Sequence, residues 1–129
     1  MKYEYIKKDE YEDIKHWFKA WGWPPIPEQF LPENGIVVMD GDVGICAAWL
    51  YQTDTPICWL EHFISNKDAT KKQRKEGLEG LLDYMTNLAK DLGADLVMTS
   101  MKGELMGSKL IGEGYQASDK GMSHYIKVI

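Results

Sequence analysis

One long apolar stripe restricts the fold of this chain more than any other feature. Leu78, Leu81, Leu82, Met85, Leu88, Ala89 and Leu92 recur at helical spacing, and Gly93 follows as a stop. That pattern predicts an amphipathic helix with one buried face. On either side stand short stretches of strand character, residues 57–65 with Trp59, Phe63 and Ile64, and residues 95–100. Strand, helix and strand in this order close into a right-handed crossover, which makes the two strands parallel neighbours. Functional groups are expected where the crossover begins.

The rest of the chain supplies a sheet for that crossover to complete. Residues 3–7 are rich in aromatic and branched side chains and read as a first strand. Asp9 is placed to cap a helix whose Tyr11, Ile14, Trp17, Phe18 and Trp21 share one side, with Gly22 at its end. Trp23-Pro24-Pro25-Ile26-Pro27 then lacks three backbone donors and reads as an ordered loop, with one helical turn near residues 28–31. Residues 36–39 are a buried strand, Asp40-Gly41-Asp42 a turn, and residues 43–51 the returning strand of a hairpin. A turn at Asp54-Thr55-Pro56 leads into residues 57–65. After the long helix and residues 95–100 come a short helix over 103–111 and a closing pair of strands over 115–128, turning at Asp119-Lys120-Gly121.

The 129 residues, 44% of them apolar, suffice for one core, so residues 1–129 are read as one domain. A formal net charge of −5 argues against nucleic acid as a partner. No stretch approaches the roughly 18 apolar residues of a membrane span, and the N-terminus lacks a secretory pattern. A soluble, cytoplasmic protein is expected. Cys46 and Cys58 are read as core thiols, and His16, His62 and His124 stand singly, so no metal site is expected. The one basic cluster, Lys71, Lys72, Arg74 and Lys75, needs a local explanation.

That cluster lies in Gln73-Arg74-Lys75-Glu76-Gly77-Leu78, which follows a strand and opens the long helix. Free amides and the helix dipole suit a pyrophosphate there, and Gly77 would let the backbone come close. A solvated basic helix start is the other reading, and these residues alone leave both open. With the order of elements added, the chain resembles the GNAT acetyltransferases. In that superfamily a Gln/Arg-x-x-Gly-x-Gly/Ala loop before the long helix holds the pyrophosphate of coenzyme A. Arg74-Lys75-Glu76-Gly77-Leu78-Glu79 keeps the Arg and the first Gly and carries Glu79 at the last small position. Ile111-Gly112-Glu113-Gly114-Tyr115 is similar to the Gly-Phe that ends the last helix of these enzymes. From the Trp/Pro segment through Phe30-Leu31-Pro32 to Ile64-Ser65-Asn66, the chain also resembles small acetyltransferase-like proteins of phage genomes, for which the host cytoplasm would be the compartment.

The resemblance implies a mixed, mostly antiparallel sheet with helices on both faces and one splayed parallel strand pair. It implies acetyl-CoA as the ligand, with Phe63, Ile64 and Ser65 along the pantetheine arm and Gln73, Arg74, Lys75, Gly77 and Leu78 at the phosphates. Glu61 is the first candidate for the base that takes a proton from an amine acceptor, and His62 the second. Strand alternation puts Trp59, Glu61 and Phe63 on one face and His62 on the other. The Tyr that many members use as an acid is replaced by Leu110, while Tyr115 is read as core. Trp17 and Trp21 read as core at helical spacing, and Trp23 and Tyr51 as lining for the acceptor. The expected partner is an amine on a small molecule or a protein, with no membrane and with a homodimer allowed. A GNAT-fold module without transferase activity, structural or binding a host protein, is the alternative.

Overall fold

The computed structural model describes residues 1–100 and 104–129. Its elements run β1 (Lys2–Tyr5), α1 (Lys8–Ala20), a 3-10 turn (Glu28–Phe30), β2 (Gly35–Asp40), β3 (Val43–Gln52), β4 (Ile57–Ser65), α2 (Lys71–Asp91), β5 (Leu96–Thr99) and α3 (Glu104–Gly112). The strands form one sheet in the order β1-β2-β3-β4-β5. The first three pairings are antiparallel, and β4 with β5 is parallel, as a crossover through α2 requires.

Each face of the sheet has its own core. On the α2 side Ile36, Val38, Leu50 and Leu60 meet Leu81, Leu82 and Met85 of the helix, joined by Leu110 of α3. On the α1 side Val37, Ala47, Trp49 and Ile64 meet Tyr11, Ile14 and Phe18. Consecutive residues of β2 thus serve opposite layers, which explains why the strand reads as continuously apolar. The expected mixed sheet with helices on both faces is the observed architecture.

Some boundaries differ from expectation. The cap of α1 is Lys7, whose backbone N–H is received by the Glu10 carboxylate at 2.8 Å, while Asp9 falls inside the first turn. Gly22, with φ of +78°, ends α1 as expected. The start expected for α3 at Gly103 lies outside the described residues. Residues 115–128 form no pair of strands. Tyr115 is held by its N–H to the Leu110 carbonyl (2.9 Å) and by its hydroxyl to Thr86 (2.8 Å). Past it the apolar side chains face solvent, Tyr125 being 92% exposed. Strand propensity without an opposing face to bury against does not make a ladder.

Candidate functional site

The parallel pairing of β4 with β5 is short. Register partners run from Ile57↔Leu96 to Leu60↔Thr99, and there β5 ends while β4 continues to Ser65. The edge of β4 over residues 61–65 therefore has no strand partner among the described residues. Partner pairing of Cys46 with Ser65, together with the bond from Asn66 N–H to the Ile45 carbonyl (2.8 Å), turns Ser65's own N–H and C=O away from β3 toward that edge. The carbonyl accepts from Trp21 Nε1 at 2.8 Å.

Beside this edge lies a cleft of about 650 Å³, lined by Trp21, Trp23, Phe63, Ile64, Ser65, Lys71, Arg74, Lys75, Leu78 and Lys109. Three sets of groups build it. Phe63, Ile64 and Leu78 are its apolar lining, the first turns of α2 supply Lys71, Arg74 and Lys75, and α3 adds Lys109. Trp21 and Trp23 stack at 6.1 Å between centroids and close one end. Lys67 and Arg74 lie over the Trp21 ring at 4.9 and 5.8 Å. Four cations converging on an apolar groove at a helix N-terminus make a place for a ligand with anionic groups at one end and an uncharged arm.

The cleft gathers Phe63, Ile64, Ser65, Arg74, Lys75, Leu78 and Trp23 from the expected set. Two of the expected ligands for the phosphates have other work. Gln73 completes a capping box with Thr70, its side-chain oxygen accepting from the Thr70 N–H at 2.9 Å and its own N–H donating to the Thr70 hydroxyl at 3.0 Å, and its amide donates to Asp40 at 3.1 Å. Gly77 is buried inside α2, where an added Cβ would stand 2.7 Å from Ile45 Cγ2 and 3.2 Å from Cys46 Sγ. Its bareness lets the helix lie close on β3. The Arg74 to Glu79 pattern is the interior of a helix, because α2 begins at Lys71. The amides left without helical partners belong instead to Lys71 and Lys72, ahead of the pattern. Trp21, expected in the core, lines the cleft, Lys71 of the basic cluster joins it, and Lys109 does so without having been expected there. The basic run around Lys71 was a signal for the former cation, whereas nothing local distinguishes Lys109.

Glu61, His62 and Tyr51 lie at the fork where β4 leaves β5. Partners Ala47↔Ile64 and Trp49↔Glu61 leave two residues of β4 opposite one of β3. This is a β-bulge, and His62 adopts φ of +63° in it, the sole positive value outside glycine among the described residues. The bulge overturns the expected alternation. Phe63 packs with the α2-side core, while Glu61, paired with Trp49, faces the α1 side. His62 joins that side through ring contacts to Trp49 at 6.4 Å and Tyr51 at 5.8 Å.

His62 Nε2 lies 3.0 Å from the Tyr51 hydroxyl, which donates to the Phe30 carbonyl at 2.8 Å. Burial lowers the imidazole below its ordinary value of 6.5 and raises the Tyr51 hydroxyl, with Glu61 adding to the latter. The Glu61 carboxyl is raised by burial, opposed by His124 and by the side chain and backbone of Ser100. Leu110 is buried in the core and presents no acid. Among the described residues no group of His, Cys, Asp and Glu is arranged to hold a metal, and no helix is long and apolar enough to cross a membrane.

No protein-family model and no curated protein matches the sequence. Solved structures do match in fold. A GNAT-family acetyltransferase from Streptococcus pneumoniae TIGR4 is 17% identical over 99% of this chain and 96% of that one, with a TM-score of 0.66. A ribosomal-protein-alanine N-acetyltransferase from Brucella melitensis biovar Abortus 2308 is 11% identical over 99% and 100%, with a TM-score of 0.67. A protein from Thermus thermophilus reaches a TM-score of 0.73 at 15% identity over 100% and 98%. The chain has the fold these proteins share.

Proposed function

We propose that this chain, folded as the GNAT acetyltransferases are, is an N-acetyltransferase that takes its acetyl group from acetyl-CoA and passes it to an amine on a small molecule or a protein. The observation that carries the reading is the cleft beside the unpaired edge of β4. Its chemistry suits coenzyme A, which joins a pyrophosphate and a 3′-phosphate to an amide-bearing apolar arm. Lys71, Arg74, Lys75 and Lys109 would neutralise the phosphates, and Phe63, Ile64 and Leu78 would cover the arm. The edge of β4 offers backbone groups to the arm's amides, as a sheet edge does to an added strand. An arm laid along residues 61–65 has its inner end at the fork, beside Glu61 and His62, from which the base is drawn. Tyr51, bonded to His62, is the expected acceptor-lining aromatic that stands at the fork, whereas Trp23, 46% exposed, stacks on Trp21 toward the Ser65 end of the cleft.

Calorimetry and thermal unfolding with acetyl-CoA test this directly. A ligand that binds the folded state alone stabilises it by about 2.7 kcal/mol at a hundredfold excess over Kd. Binding should weaken with salt, and Arg74→Ala should weaken it and flatten that salt dependence. No interaction at millimolar acetyl-CoA overturns the reading.

A second reading has one observation in its favour. The position where the resemblance calls for a Tyr acid holds Leu110, buried in the core, so a GNAT-fold binding module without transfer activity is the alternative. Binding of acetyl-CoA without acetylation of any amine would favour it.

A further inference from the structure

The hydrogen bonds around Tyr51 fix more than geometry. A phenol has one proton to give, and the Tyr51 hydroxyl gives it to the Phe30 carbonyl, a pure acceptor, at 2.8 Å. At 3.0 Å from His62 Nε2 the same oxygen must therefore act as the acceptor, so Nε2 carries the hydrogen. In a neutral imidazole the other nitrogen then keeps its lone pair. The backbone supports this arrangement at a cost. A left-handed φ of +63° is unfavourable for His, and it occurs at the bulge of β4, where the strand parts from β5.

From this hydrogen-bond chain and the bulge we infer that His62 Nδ1 is the general base of the proposed transfer and that Tyr51 is the residue that positions it. The inference rests on the acetyltransferase reading and selects between its two candidate bases. Nδ1 takes the proton that the amine nitrogen sheds as its C–N bond to the acetyl carbon forms. The C–S bond breaks, the thiolate leaves, and the proton on the imidazole passes to solvent or to that thiolate. The products are the amide and the free thiol.

Burial keeps His62 neutral near pH 7 and so able to accept a proton. The titratable groups around it are Tyr51 on β3 and Glu61 beside it on β4, with Tyr11 of α1 behind Trp49 and His124 of the C-terminal segment acting on Glu61. Glu61 is the other candidate: burial raises its carboxyl, and His124 and Ser100, the latter just past the end of β5, favour its charged form.

The test pairs a spectroscopic readout with turnover. Long-range ¹H–¹⁵N NMR of the full chain, with His62 assigned by difference against His62→Asn, should show a neutral Nε2–H imidazole at pH 7 titrating below its ordinary value of 6.5. In Tyr51→Phe the preference for that tautomer should weaken. With acetyl-CoA as donor and spermidine or an alanine-initiated peptide as acceptor, His62→Asn should lower kcat by about 10²- to 10⁴-fold at unchanged acetyl-CoA affinity. Asn tolerates the left-handed backbone, and His62→Gly, which adopts it freely, repeats the measurement. An Nδ1–H tautomer, an imidazolium at pH 7, or full turnover in His62→Asn alongside loss in Glu61→Gln overturns the assignment. If wild type fails to bind acetyl-CoA in the calorimeter, the functional reading itself falls, whatever the tautomer.

Discussion

The two halves of β4 are one strand in the sequence and two environments in space. Residues 58–60 are paired on both sides, to β3 and to β5, with Ile57 paired to β5 alone, and Cys58 and Leu60 sink into the α2-side core. Residues 61–65 keep β3 but lose β5, and they carry the bulge, the two titratable side chains and the lining of the cleft. Pairing on both edges leaves a strand no backbone groups to offer, so a ligand that binds as a strand has to find the half where pairing stops. Stability and recognition are assigned to different halves of the same element.

Truncations in the two halves should separate these roles. Leu60→Ala opens a void at a fully buried position and should cost about 2 to 5 kcal/mol in denaturant unfolding. Phe63→Ala removes a side chain that is half-buried against the same core and lines the cleft, so its cost should be smaller, about 1 to 2 kcal/mol. Its effect on acetyl-CoA affinity should exceed that of Leu60→Ala measured under conditions where both fold. Equal stability costs with equal affinities would erase the distinction between the halves.

Gly77 sharpens the comparison from the helix side. Its motif points to a ligand, yet it sits against Ile45 and Cys46 of β3, within the closely packed layer. Gly77→Ala would gain helix propensity but place a Cβ 2.7 Å from Ile45 Cγ2, a contact that has to be relieved by movement of helix or strand. The expected net result is a loss of about 1 to 3 kcal/mol in unfolding, with acetyl-CoA affinity unchanged after correction for the folded fraction. A stable variant with weakened binding would return Gly77 to the phosphate site.

How much of this was legible in the sequence follows from which interactions are local. The stripe from Leu78 to Leu92 and the hairpin turn at Asp40-Gly41-Asp42 are periodic or turn signals, so the crossover and the meander could be read directly. The cleft was legible in part because Phe63 to Ser65 and Arg74 to Leu78 flank the crossover in sequence. The bulge was not. Nothing in Glu61-His62-Phe63 announces a left-handed residue, and a single inserted residue reverses every face assignment after it. Lys109 reaches the cleft only through the packing of α3, which no nearby residue encodes. The closing strands failed for a related reason, because Met122, Tyr125 and Val128 have strand character but no opposing surface.

The smallest effect expected is on the pH dependence of stability, and it discriminates within the open half itself. The His62 pKa is lowered by folding, so the unfolded chain binds the extra proton first as pH falls through 6.5. The stability associated with its neutral form is therefore present above that value and is lost as pH falls through the lower, folded pKa. Glu61 has the opposite sign. Its folded pKa is raised, so its contribution is present below the ordinary value of 4.5 and is lost as pH rises through the folded value. Both groups are only partly buried, and solvent screening keeps each contribution small. Stability measured from about pH 4 to 8 should therefore rise as pH increases toward 6.5 and level off above it in wild type, and the rise should shrink in His62→Asn. Glu61→Gln should instead remove a decline at the lower end and leave the upper limb alone. A profile in which His62→Asn changes nothing between about pH 5 and 7 would mean that the imidazole at the fork is no more desolvated than one on the surface, and the two halves of β4 would differ in pairing but not in electrostatics.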